Sequence, residues 1–240
     1  MATGHMTREY DAELDRLRGT ICEMGGLAEA AIADAMQALV RRDSEAAAAV
    51  VERDRRIDAL EAEIESEAMR IMAARAPRAG DLREVVAALK IAGVVERIGD
   101  YAKNIARRVP SLEDSRIWPL SLLPEMARIA GEMVHNVLDA FAARDPRKAA
   151  DVCARDAAVD DFYNSIFRAL LTHMMENPHN ITPATHLLFV AKNLERIGDH
   201  ATNVAEMVYF AATGERLGDR AKGADPADIA PGEIEARADG

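Results

Sequence analysis

Four pairs of carboxylates, matched two and two between the halves of this 240-residue chain, have their members four residues apart: Asp54 with Asp58, Glu96 with Asp100, Asp156 with Asp160, and Glu195 with Asp199. Four residues is about one helical turn, so the members of each pair share a helix face roughly 6 Å apart. Asn104 and Asn203 continue the second and fourth pairs by a further turn. Like charges at this spacing destabilise a helix by a few tenths of a kcal/mol, and ordinary surface helices interleave lysine instead. Four such motifs point to a shared cation. Oxygen-only donors suit divalent or ferric ions such as Mg, Mn, Ca or Fe, with Zn possible but without its usual His or Cys. The candidate metal ligands are therefore Asp54, Asp58, Glu96, Asp100, Asn104, Asp156, Asp160, Glu195, Asp199 and Asn203. Two plainer readings stand beside this one. The stripes are solvated helix faces, or Arg97 and Arg196 neutralise the acids in place of an ion.

Catalytic chemistry is poorly represented. Glu132-x-x-His135 matches the Glu-x-x-His element of di-iron bundles, but such sites need a second copy and two further glutamates, and the repeat partner of His135 is Ala33. There is no Gly-rich phosphate loop, no His-Glu-x-x-His and no Ser or Cys nucleophile signature. Tyr10 and Trp118 read as packing residues. No catalytic residue is assigned.

The elements that must position the carboxylates are helices. Aromatic residues make up 4% of the chain and apolar residues 49%, so the core is built from Ala, Leu, Ile, Val and Met, which pack helices closely. Proline and glycine cluster at a few points, and the 3.6-residue apolar period between them predicts six helices, at 8–42, 45–75, 81–109, 120–143, 147–176 and 183–212. Short connections make sequential helices antiparallel.

The chain also repeats itself. Glu96-Arg97-Ile98-Gly99-Asp100-Tyr101-Ala102-Lys103-Asn104-Ile105-Ala106 returns 99 residues later as Glu195-Arg196-Ile197-Gly198-Asp199-His200-Ala201-Thr202-Asn203-Val204-Ala205, with eight of eleven positions identical. Arg53-Asp54 with Asp58, and Arg42-Asp43, recur 102 residues on as Arg155-Asp156 with Asp160, and Arg144-Asp145. An all-α architecture of two tandem three-helix bundles related by a pseudo-twofold follows. The expected divisions are a flexible start at 1–7, a first bundle at 8–110, a second at 111–213 and a disordered tail at 214–240. On the third helix of each half the acidic stripe lies opposite the apolar one and faces away from the seam. The halves are not equivalent, because Glu61 and Glu65 follow Asp58 whereas Tyr163 and Phe167 follow Asp160. Gly99 and Gly198 sit inside helices at a cost of about 0.5–1 kcal/mol each relative to Ala, which points to close approach of a neighbouring helix.

Forty-one acidic against thirty basic residues leave a formal charge of -11, which argues against nucleic acid or an anionic lipid surface as the partner. No apolar run exceeds six residues, against roughly 18–20 for a membrane span. The two cysteines, Cys22 and Cys153, form no disulfide framework and fit a reducing cytoplasm. Long Ala-rich helices leave flat faces, from which a twofold homodimer is expected.

The doubled Glu-Arg-Ile-Gly-Asp-x-Ala-x-Asn block, each copy closing a three-helix unit, resembles the PhoU family of phosphate-response regulators over about residues 8 to 212. The resemblance implies a cytoplasmic, non-catalytic negative regulator of phosphate uptake and of the phosphate-starvation response. It would act between a phosphate ABC transporter ATPase and a phosphate sensor histidine kinase, peripheral to the inner face of the membrane through those partners. The resemblance further implies Glu/Asp-x-x-x-Asp motifs that can hold multinuclear metal clusters, and the matching positions here are the four pairs above. The alternative is a di-metal carboxylate enzyme of the helical-bundle type.

Overall fold

A computed structural model describes residues 2–75, 79–113, 115 and 121–217, and six α-helices account for nearly all of them. They are α1 Ala2–Arg41, α2 Ser44–Arg75, α3 Ala79–Ala106, α4 Leu122–Ala143, α5 Pro146–Glu176 and α6 Ile181–Thr213. Single 3-10 turns at Pro110–Leu112 and Pro178–Asn180 lead out of α3 and into α6. The start expected to be flexible is helical from Ala2 and continuous with α1. Trp118 and most of the tail expected to be disordered lie outside the described residues. Proline sets the helix starts less sharply than expected: Pro183 lies within the first turn of α6, where its missing N–H would have no partner anyway.

The repeated pairs Arg42-Asp43 and Arg144-Asp145 are the two-residue turns between α1 and α2 and between α4 and α5. Arg42 and Arg144 are left-handed, at φ 55° and 53°. The N–H of Asp43 reaches the carbonyl of Ala38 at 2.9 Å, and that of Asp145 reaches Ala140 at the same distance. This is a Schellman ending, which usually takes glycine. Each aspartate then caps the next helix: Asp43 accepts from the N–H of Ala46 at 2.9 Å, and Asp145 from Arg147 and Lys148 at 2.9 and 3.1 Å. The arginines are also used. Arg42 donates to the carbonyl of Glu113, and Arg144 donates to Glu84 on α3.

Within each half the three helices pack on one another, and the halves meet through α1 against α4 and α3 against α6. The α3/α6 pair is antiparallel: Arg108 near the end of α3 lies 4.2 Å from the ring of Phe189 near the start of α6, while Glu84 near the start of α3 shares a crevice with Val208 and Ala211. Tyr101 and His200 are repeat partners and meet across this junction with ring centroids 5.2 Å apart, which places the pseudo-twofold beside them. At the other junction Gly25 lets α4 in so closely that a Cβ there would stand 2.1 Å from Leu138 Cδ1. The core is aliphatic, with Ile21, Met24, Ile64, Ile98, Val190 and Leu194 fully buried. Among the described residues no helix is long and apolar enough to cross a membrane.

Candidate functional site

The carboxylate stripes do not face open solvent as the helical wheel suggested. They line the seams between α2 and α3 and between α5 and α6. Asp54 is 5% exposed, whereas Glu96, Asp100, Asn104, Asp156, Asp160, Glu195, Asp199 and Asn203 are half-buried and only Asp58 is exposed. The motif glycines explain the depth. A Cβ on Gly99 would stand 3.2 Å from Asp54 Oδ1 and 2.8 Å from Ile57 Cδ1, and one on Gly198 would stand 3.4 Å from both Asp156 Oδ1 and Val159 Cγ1. Close approach of the neighbouring helix is therefore the reason for glycine at 99, whereas at 198 a Cβ would make ordinary contacts, and in both copies an aspartate of the second helix stands against the backbone of the third.

In the first half the cation between the acids is a side chain. The ammonium of Lys103 pairs with Asp54 Oδ2 on α2 and with Asp100 Oδ1 on its own helix. The lysine is well shielded, its side chain 16% exposed. One turn away the acids are crowded instead. Burial, followed by the charges of Asp100 and Glu61, pushes the Glu96 carboxyl up to about 7, and burial together with Glu65 and Asp58 raises Glu61.

The second half keeps the aspartates and moves the cation. Thr202 stands where Lys103 would be, and its hydroxyl donates to the carbonyl of Asp199 at 2.6 Å. Lys192 instead pairs with Glu195 Oε1 at 3.1 Å and lies 5.0 Å from the Tyr163 ring centroid. The repeat partners of Lys192 and Tyr163 are Gly93 and Glu61, and a Cβ on Gly93 would stand 3.3 Å from Glu61 Oε1. Lysine over tyrosine in one half thus replaces glycine beside glutamate in the other. Burial, then the charges of Asp156, Glu195 and Asp199, push Asp160 up to about 6 despite Lys192.

The expected arginine neutralisation takes another form. Arg97 is exposed and lowers Glu61 only against larger opposing effects, while the Arg196 guanidinium lies 5.8 Å from the Tyr101 ring centroid. Lys103 and Lys192, which the motif reading passed over, do the pairing. Both stand at i,i+3 from a motif acid, a spacing that marks helix-surface partners. Glu132 and His135 are spent on separate surface contacts, the first with Arg128 and Arg155, the second with Glu29 at 3.1 Å.

Oxygen donors of the right class are thus gathered in both halves. Among the described residues, however, no three Asp, Glu, His or Cys side chains converge on one point as a metal ion requires. The second half fits a hard cation on its donor chemistry and on the mutual repulsion of its four acids. The Asp54 and Asp100 pair of the first half does not, because an ammonium already stands between its oxygens.

The sequence model of the PhoU domain matches residues 21–109 and 123–208, one copy per half. The chain is 56% identical over 223 residues to the phosphate-specific transport system accessory protein PhoU homolog of Zymomonas mobilis, covering 92% of this chain and 94% of that one. The corresponding homolog of Caulobacter vibrioides is 49% identical, covering 90% and 94%. Among solved structures, PhoU from Pseudomonas aeruginosa superposes with a TM-score of 0.82 at 38% identity, covering 86% of this chain and all of that one. The phosphate transport system regulatory protein PhoU from Streptococcus pneumoniae also reaches 0.82, at 26% identity and 87% coverage of this chain. With the duplicated motif, the duplicated bundle and these relatives in agreement, the chain belongs to the PhoU family.

Proposed function

We propose that this protein is a cytoplasmic accessory regulator of phosphate transport. It restrains uptake and the phosphate-starvation response through contacts with a phosphate ABC transporter ATPase and a phosphate sensor histidine kinase. It has no turnover of its own and works as a homodimer. The observation that carries this reading is the likeness to accessory proteins of phosphate-specific transport over most of the chain, 56% identical over 92% of it for the Zymomonas mobilis homolog. A clean deletion is expected to raise phosphate-starvation reporters in phosphate-rich medium. Unchanged expression in that strain would refute the reading. Light scattering of the purified protein at micromolar concentration tests the dimer, and a mass near 26 kDa would exclude it.

The metal belongs to the same proposal. Asp156, Asp160, Glu195 and Asp199, with Asn203 as an accessory donor, would hold Mg, Mn, Fe or Zn. A cation there relieves the crowding that raises Asp160 and gives an acidic surface a means of meeting an anion. In the first half Asp58, Glu96 and Asn104 remain as candidate ligands, whereas Asp54 and Asp100 are already held by Lys103. Calorimetric titration of the wild type and of Asp199→Asn tests the second half, and equal stoichiometry and affinity would leave its stripe as a half-buried acidic seam only.

A further inference from the structure

The internal repeat provides each half with the same pair of aspartates, one on the second helix and one on the third, but the residue one turn beyond the third-helix aspartate differs between the halves. In the first, Lys103 Nζ contacts both Asp54 Oδ2 and Asp100 Oδ1. In the second, the same helix position holds Thr202, whose hydroxyl is turned to the Asp199 carbonyl and carries no charge. The acids themselves are placed alike. The second-helix aspartate stands 3.2 Å from the Cβ position of the motif glycine in one half and 3.4 Å in the other. At this helix position the lysine changes between the halves, while the spacing of the second-helix aspartate from the motif glycine is kept.

We propose that Lys103 is the resident cation of the first motif, a tethered ammonium that holds the place between Asp54 and Asp100 where the carboxylate spacing alone would put a metal ion. The side chains of Lys103 and Asp54 are 16% and 6% exposed, so this is an interior ion pair rather than a flickering surface one. Such a pair resists breaking, because removing one partner leaves the other charge shielded from water and uncompensated. A metal ion would need the same two oxygens, and binding there would leave the ammonium a few ångströms from a like charge of greater magnitude. The first bundle is thus closed by its own chain, independently of metal supply. Metal response at the paired aspartates is confined to the second motif, a consequence that rests on the metal reading proposed above.

The test counts Mn ions bound per chain, by calorimetry and by loss of the free-ion paramagnetic signal, in chelator-stripped full-length protein. Asp100→Asn keeps the Lys103 contact with Asp54 and is expected to bind as many ions as the wild type. Lys103→Thr copies the second half and is expected to gain one ion, which Lys103→Thr with Asp100→Asn loses again. Lys103→Met, which keeps the aliphatic stem, serves if the threonine variant folds poorly, and either variant should melt several degrees below wild type in chelator and recover with Mn. A drop in stoichiometry for Asp100→Asn on the wild type would overturn the proposal, as would variants at Lys103 that gain no ion or that match wild-type stability in chelator. Asp199→Asn reports separately on the second motif: its failure to reduce binding defeats the metal reading there and leaves the Lys103 results to judge this inference alone.

Discussion

Alanine at the two motif glycines should act in opposite directions, although the sequence around them is nearly the same. Each change relieves the same helix penalty, about 0.5–1 kcal/mol for glycine in a helix interior. At Gly198 the new methyl would lie 3.4 Å from Asp156 Oδ1 and Val159 Cγ1, an ordinary contact, so Gly198→Ala is expected to stabilise by most of that amount. At Gly99 the methyl would lie 2.8 Å from Ile57 Cδ1 and 3.2 Å from Asp54 Oδ1. Ile57 is 1% exposed and Asp54 is held by Lys103, so neither yields freely. Overpacking of this kind costs about 1–3 kcal/mol, which outweighs the helix gain. Gly99→Ala is therefore expected to destabilise by up to about 2 kcal/mol. In a chain of this size each kcal/mol moves the midpoint by about 2–4 °C. Differential scanning calorimetry of the two variants should thus place the Gly198→Ala midpoint above wild type and the Gly99→Ala midpoint below it. Two shifts of the same sign and size would show that the measured separations do not control packing at the seam.

Three further outcomes are expected. Glu84 accepts from Arg18 at 2.7 Å and from Arg144 at 2.6 Å, tying α3 to α1 and to the α4/α5 turn, so Glu84→Ala should cost about 1–3 kcal/mol in urea denaturation; an unchanged midpoint would mean that Asp15, 2.7 Å from Arg18, suffices. Glu96 is raised from its ordinary 4.5 to about 7, so across that interval the native state holds a proton the unfolded chain has lost, and metal-free stability should fall as pH rises through that interval. Glu96→Gln should flatten this slope and leave the protein more stable than wild type at pH 8, as read by thermal melts between pH 5 and 8. Asp145 caps α5 through two N–H groups, so Asp145→Ala should lower stability by about 1 kcal/mol in the same denaturation assay, and no loss would assign the turn to Arg144 alone.

Helix number, the internal repeat and the family were legible in the chain because each is written locally. A 3.6-residue period, a breaker and an eleven-residue block need no knowledge of what lies across the core. The need for a small residue at 99 was legible for the same reason. The lateral relations were not legible. Helical spacing lines up Glu96, Asp100 and Asn104, but whether that line meets water or a neighbour depends on the rotation of α3 against α2 and α6, which many side chains set together. The Lys103 contact with Asp100 lies within one turn, whereas its contact with Asp54, 49 residues away, exists only once α2 has docked. Packing likewise turns the Arg-Asp repeat into a left-handed turn followed by a cap and directs Arg144 to Glu84, on the third helix of the other half. Local sequence determined which groups carry charge, and tertiary packing decided which of those charges a neighbouring side chain already neutralises.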